Sequence, residues 1–247
     1  MPKFFVKNNQ IENNTIQILG TDVNHIKNVL RLKENDEIEI CDSDEQQSYL
    51  CKIIELEESF VKCDIVNKIE ESRESNIEVT IFQGLPKADK MELIIQKSVE
   101  LGVYDITPVE MARCVVKLND KDKTKKIERW NKISEVAAKQ SQRDIIPKIN
   151  NIIKISELAN IISQYDGIIL AYEKEKDYTI KQELQKLKMQ NAQKIGIVIG
   201  PEGGLEEKEV EMLKNNGASV ITLGKRILRT ETVALNVLSN IIYEFEM

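Results

Sequence analysis

The residues best suited to chemistry lie in two glycine-centred stretches. One is Ile199-Gly200-Pro201-Glu202-Gly203-Gly204. The other is Leu223-Gly224-Lys225-Arg226-Ile227-Leu228-Arg229-Thr230-Glu231-Thr232. Three of the chain's ten glycines fall within five residues. Each stretch follows an apolar run, 195–199 or 219–223, that reads as a strand. Each leads into a helical pattern, the first from about Glu206 and the second opening with its arginines and glutamate. Bare glycine backbone between a strand and a helix lets N–H and C=O groups approach a ligand closely. Two such loops on neighbouring strands predict one shared pocket. The 200–204 stretch is neither the dinucleotide fingerprint G-x-G-x-x-G nor a P-loop, which argues against nicotinamide and ATP. Alone it reads equally well as a plain turn, and Arg226, Arg229 and Glu231 as a salt-bridged helix start. Their combination favours a site.

Other chemistries are poorly supplied. The single histidine, His25, argues against a His-based triad and most zinc sites, so no metal is expected. Cys41, Cys51, Cys63 and Cys114 form no C-x-x-C pair and read as small buried hydrophobes. No apolar run reaches membrane-span length, and the first residues lack a signal-peptide pattern; a cytoplasmic protein is expected. Net charge is −6, yet residues 113–148 carry eleven Lys/Arg against five Asp/Glu. That asymmetry suggests an anion-binding face on an acidic chain, against the alternative of a solvated helix. Trp130, among these charges, could stack on a base or anchor a helix.

Elements must position these residues. Short strands over 15–19, 37–41, 48–56 and 60–69, with one helix near 21–31, suggest a small barrel or sandwich. The polar stretch 70–76 reads as a linker. Beyond it, strands at 77–83, 105–109, 167–171, 195–199 and 219–223 alternate with helices at 90–101, 123–141, 155–163, 178–188, 205–216 and 229–245. This predicts an α/β domain with a mostly parallel sheet covered on both faces. Ligands in such folds sit outside the carboxyl ends of the strands, where both glycine loops fall. The last helix is apolar over a wide arc, suiting burial or a subunit interface.

These motifs resemble the bacterial small-subunit (16S) ribosomal RNA uridine-N3 methyltransferases of the SPOUT superfamily. The resemblance rests on both glycine stretches, the second extended through Val233-Ala234-Leu235, and on Gln96-Lys97-Ser98-Val99-Glu100-Leu101-Gly102-Val103. Arg113-Cys114-Val115-Val116-Lys117, Arg129-Trp130 and Val29-Leu30-Arg31 add to it. It spans almost the whole chain. Lys3 and Asn35 stand where the family often has Arg and Gly.

The resemblance implies a PUA-like β-barrel over 1–69 for RNA, and a SPOUT methyltransferase domain over 77–247 with a trefoil knot. It implies S-adenosyl-L-methionine as cofactor, a homodimer, and small-subunit RNA or the assembled subunit as substrate. Arg229 would stabilise a uracil anion, and Glu231 would orient Arg229 or take the N3 proton. The cofactor would meet Ile199, Gly200, Pro201, Glu202, Gly203 and Gly204 on one loop. Leu223, Gly224, Arg226, Ile227 and Leu228 would hold it from the second loop, and Leu170, Tyr172 and Glu173 would form a third wall. RNA would contact Arg31, Arg113, Lys117, Arg129, Lys139 and Arg143. Two rival readings are a ribose 2′-O-methyltransferase of the same superfamily and a non-catalytic RNA-binding assembly factor.

Overall fold

The computed structural model describes residues 1–247. The chain forms two compact units. One is Met1–Glu74 with Ala138–Ile146; the other is Ser75–Ala137 with Pro147–Met247.

The first unit is a curled six-stranded sheet. Its strands are β1 (Lys3–Val6), β2 (Ile11–Glu12), β3 (Thr15–Leu19), β4 (Glu37–Asp42), β5 (Gln47–Leu56) and β6 (Phe60–Lys68), in the order β1-β4-β5-β6-β3-β2. All pairs are antiparallel except β1 with β4. Period-two alternation dictates the inner face. Ile16 and Ile18, Ile38 and Ile40, Cys51 and Ile53, and Val61 and Cys63 point into one core. The expected helix near 21–31 is a short α1 (Thr21–Asn24) running into a π-helical turn (His25–Val29). Asn35 adopts φ +74°, a left-handed conformation that asparagine tolerates better than most residues, at the position where the family often has glycine.

This unit also takes in 138–146, which the sequence pattern assigns to the second domain. Buried charge explains the return. The Lys3 ammonium donates to Glu39 at 2.8 Å, Asp144 at 2.6 Å and Ser48 at 3.0 Å. Asp144 also accepts the Arg73 backbone N–H, and Arg73 pairs with Glu39. Arg143 is 5% exposed and pairs with Glu74. Burial pushes the Asp144 and Glu39 carboxyls up. For Asp144, the Arg73 N–H, Lys3 and Ser48 outweigh burial; for Glu39, Arg73 and Lys3 do, and both carboxyls end below their ordinary range.

The second unit carries β7 (Glu78–Gly84), α2 (Lys90–Glu100), β8 (Asp105–Glu110), β9 (Lys148–Ile149), β10 (Ile153–Lys154) and α4 (Ile155–Ile161). After these come β11 (Gly167–Ala171), α5 (Ile180–Met189), β12 (Lys194–Ile199), α6 (Glu207–Asn215), β13 (Ser219–Ile221) and α7 (Thr230–Glu246). The long helix α3 (Asp120–Gln140) runs from this unit into the returning segment. The sheet order is β10-β8-β7-β12-β11-β13, with β9 beside β8, and every pairing is parallel. The strands read as near-continuous Val/Ile runs because helices cover both faces. Strand order reverses between β7 and β12, and the sheet runs on from there to β11 and β13 on one side. Against β12, α7 packs Ala234, Val237, Leu238 and Ile241 inward and meets α2. No helix is long and apolar enough to cross a membrane.

The Lys3 cluster sets a stability test. Lys3→Met should destabilise the first unit by about 3–5 kcal/mol, since it leaves buried carboxylates uncompensated. With folded carboxyl values below unfolded ones near about pH 4, the ion pairs contribute fully above that pH and lose their contribution as pH falls through the folded values. Asp144→Asn should therefore lower stability at neutral pH and flatten the acid limb of a urea-denaturation series. An unchanged acid limb would remove Asp144 from the linkage.

Candidate active site

Three adjacent strands, β12, β11 and β13, deliver three loops to one cavity of about 560 Å³. The β12 loop supplies Ile199 through Leu205, the β11 loop Ala171, Tyr172 and Glu173, and the β13 loop Thr222 through Thr230. Lys90 and Val233 complete the wall from α2 and α7. The two glycine stretches are thus brought together as expected. Leu170 is not in the wall: it is fully buried within the sheet, and the next residue outward, Ala171, lines the cavity. Like Ile168 and Ile169, Leu170 lies inside a strand covered on both faces, whereas Ala171 is its carboxyl-end residue.

The β12 loop is held by close packing. A Cβ on Gly84, at the end of β7, would lie 2.7 Å from Pro201 Cδ and 2.8 Å from its N. Gly204 takes φ +69°. A Cβ on Gly203 would lie 3.0 Å from Arg113 Cβ, and Arg113 Nη1 donates to the Gly203 carbonyl at 3.0 Å. Gly203 thus lets the Arg113 segment lie against the loop. Glu209, near the start of α6, accepts the Ala112 N–H at 2.8 Å and the Glu206 N–H at 2.9 Å, fixing both the segment and the helix start.

The β13 loop differs from expectation. The strand ends at Ile221 and the helix starts at Thr230, so residues 222–229 are loop and Arg226 precedes the helix. Gly224 adopts φ +103°. The N–H groups of residues 225–229 make no hydrogen bond within the chain, which leaves donors for a ligand. Ile227 is 88% exposed. The loop is anchored by Thr230. Its hydroxyl accepts from Gln83 Nε2 at 2.9 Å and donates to the Gly200 carbonyl at 2.8 Å.

Arg229 is the N-cap of α7 with extended backbone, and its exposed guanidinium makes no intramolecular hydrogen bond or ion pair. Glu231 follows in the first turn. Its partner is Lys90, whose ammonium lies 3.4 Å from Glu231 Oε2 and 3.0 Å from Glu202 Oε1. Glu202 also accepts the Lys87 backbone N–H. Burial raises the Glu202 carboxyl, but hydrogen bonds, including those from Lys90 and Lys87, hold it below its ordinary range. Donating to the Glu202 carboxylate raises Lys90. Sequence reasoning missed Lys90 because a lysine at a helix start reads as solvated surface.

The cations expected to meet RNA divide. In the second unit Arg113 and Lys117 are exposed, and Arg129 is exposed while paired with Glu92. In the first unit Arg31 is exposed and Lys139 pairs with Asp22 at 2.9 Å. Arg143 is a correction: buried against Glu74, it presents no exposed cation. Trp130 is 3% exposed, so it anchors its helix instead of facing a base.

Parallel sheet, carboxyl-edge cavity, unpaired backbone donors and a free arginine define an α/β enzyme with room for a cofactor and an anionic reactant. The model for an RNA methyltransferase domain matches residues 73–242, and that for an RNA methyltransferase PUA domain matches 18–66. The chain belongs to the RNA methyltransferase family. It is 39% identical to ribosomal RNA small subunit methyltransferase E of Bacillus subtilis, over all of this chain and 98% of that protein. It is 33% identical to the protein of that name from Mesomycoplasma hyopneumoniae, over 98% and 99%. Among solved structures, a ribosomal RNA small subunit methyltransferase E from Neisseria gonorrhoeae bound to S-adenosyl methionine is 29% identical. It aligns with a TM-score of 0.83 over 98% of this chain and 97% of that one.

Thr230→Val removes the hydroxyl while keeping shape, leaving the Gly200 carbonyl and a Gln83 amide proton unpaired. Thermal unfolding should show a loss of about 1–3 kcal/mol. Wild-type stability in this variant would mean that the bridge does not hold the loops.

Proposed function

We propose that the chain methylates N3 of a uridine in small-subunit (16S) ribosomal RNA, using S-adenosyl-L-methionine. The observation that carries this reading is a free Arg229 guanidinium beside a cavity built from three carboxyl-end loops. The cavity suits the cofactor's adenosine. It offers apolar side chains from Ile199, Leu205 and Val233, unpaired N–H groups at 225–228, and a Tyr172 hydroxyl that is buried without a partner. The walls proposed are Tyr172 and Glu173, the loop from Ile199 to Gly204, and Leu223, Gly224, Arg226, Ile227 and Leu228, with the chain threaded in the trefoil knot that the resemblance implies.

When bound, the cofactor supplies an electrophilic methyl group on a sulfonium. Neutral uridine N3 carries a proton and no free lone pair, so the base must react as its anion. The Arg229 guanidinium stabilises that anion at a carbonyl oxygen, a contribution of about 3 kcal/mol for one oriented donor. The three loops hold the reactants in register and exclude water, worth several kcal/mol. Of the two roles open to Glu231, direct pairing with Arg229 is not made in this structure. The other, accepting the N3 proton, requires its carboxylate to exchange Lys90 for the base. RNA is drawn in by Arg31, Arg113, Lys117 and Arg129, and the target base leaves its stack to reach the cavity. A homodimer would use the outward side of α7, where Leu235 is half-buried and Tyr243 is exposed.

Incubating the protein with cofactor and small-subunit RNA, then mapping the methylated atom by nucleoside mass spectrometry, tests this reading. N3-methyluridine is expected; a 2′-O-methyl product would assign a sugar reaction, and no product with no cofactor binding would leave an RNA-binding protein. In single-turnover kinetics Arg229→Ala should slow transfer by about 10²–10³, and Arg229→Lys should recover little. Near-normal transfer in Arg229→Ala would move the role to Arg226. Removing Arg113, Lys117 or Arg129 singly should reduce the salt slope of RNA binding by about 0.7.

A further inference from the structure

Lys90 is the one cation that joins two carboxylates at this cavity. Its ammonium lies 3.0 Å from Glu202 and 3.4 Å from Glu231, and its side chain is one-third exposed. Glu202 belongs to the β12 loop and is also held by the Lys87 N–H, in the lead-in to α2. Glu231 lies in the first turn of α7, two residues from Arg229. Its Oε2 is buried and accepts no hydrogen bond, so the contact with Lys90 is its only charge partner.

This arrangement solves a competition built into the sequence. Arg229 sits at the N-cap with extended backbone, so its side chain is not confined to the helix pattern that keeps i and i+2 apart. A guanidinium two residues away in sequence is a natural partner for a largely buried carboxylate, because leaving such a carboxylate unmatched is costly. Yet Arg229 makes no ion pair. The Glu231 carboxylate is instead held by Lys90.

We infer that Lys90 is a positioning residue that reserves Arg229 for the substrate by holding Glu231, and that ties this control to the cofactor-side loop through Glu202. The role rests on the proposed reaction, in which Arg229 meets the uracil anion. Lys90 does not itself touch the base. Its removal should leave the loops assembled and turn Arg229 inward onto Glu231.

The test uses the whole 247-residue chain and reads Arg229 directly. The Nε–Hε resonance of Arg229, assigned by its loss in Arg229→Lys, is followed by ¹⁵N–¹H NMR in Lys90→Met, Lys90→Arg and the double variant Lys90→Met/Glu231→Gln. In Lys90→Met the resonance should shift and its solvent exchange should slow as the guanidinium pairs. In the double variant it should return to the wild-type position, because the competing charge is gone. Lys90→Arg should stay near wild type. In parallel, the turnover of Lys90→Met should fall by about 10–10², with the KM for cofactor within a few-fold of wild type and Lys90→Arg recovering most of the loss. An unmoved Arg229 resonance in folded Lys90→Met, or an equal shift with and without Glu231, would overturn the inference. If the wild-type protein transfers no methyl group to RNA, the proposed reaction fails, and the resonance still decides whether Lys90 governs Arg229.

Discussion

The site depends on one hydroxyl. Thr230 Oγ1 accepts from Gln83 and donates to the Gly200 carbonyl, so one buried atom joins the end of β7, the end of β12 and the first residue of α7. Each element alone would leave a polar group unpaired in a dry interior. Such groups cost about 1–3 kcal/mol each when unsatisfied, which makes the three-way arrangement the cheapest one available. Once the three ends are fixed, the position of Arg229 follows, because it directly precedes Thr230. Glu231 follows too, one residue later and facing Lys90.

Around this anchor the loops divide their labour. The β12 loop is packed tightly: Gly84 and Gly203 are small because Pro201 and Arg113 occupy the space where their side chains would go. The β13 loop is open, with its backbone donors unpaired and Ile227 in solvent. A rigid floor beside an under-bonded flap suits a site that must close on a ligand: the floor preserves geometry, and the flap keeps hydrogen-bonding capacity for the ligand. Charge follows the same division. The carboxylates of Glu202 and Glu231 are matched internally, and Arg229 is left unmatched.

Much of this was legible in the sequence, for physical reasons. Alternating apolar strands and amphipathic helices define a parallel sheet, and glycine clusters after strands mark close backbone approach, so both loops and their shared pocket could be read. What escaped depended on long-range partners. Leu170 and Ala171 differ only in which of them ends the strand. Arg143 reads as one more cation until Glu74, far away in sequence, is found beside it. The strand β1 is short and begins with Lys3, whose burial makes sense only beside Glu39 and Asp144. Thr230 and Lys90 are ordinary residues for a helix start, and only the tertiary structure gives them partners.

We propose that the three loops at the carboxyl ends of β11, β12 and β13 close on the cofactor. Hydrogen exchange measured with and without S-adenosylmethionine tests it most directly. Slowed exchange should concentrate at residues 171–173, 199–205 and 222–230, strongest at the unpaired amides of 225–229, with the curled sheet of the first unit unchanged. Slowing centred outside these loops, or none under conditions where the cofactor is bound, would contradict it.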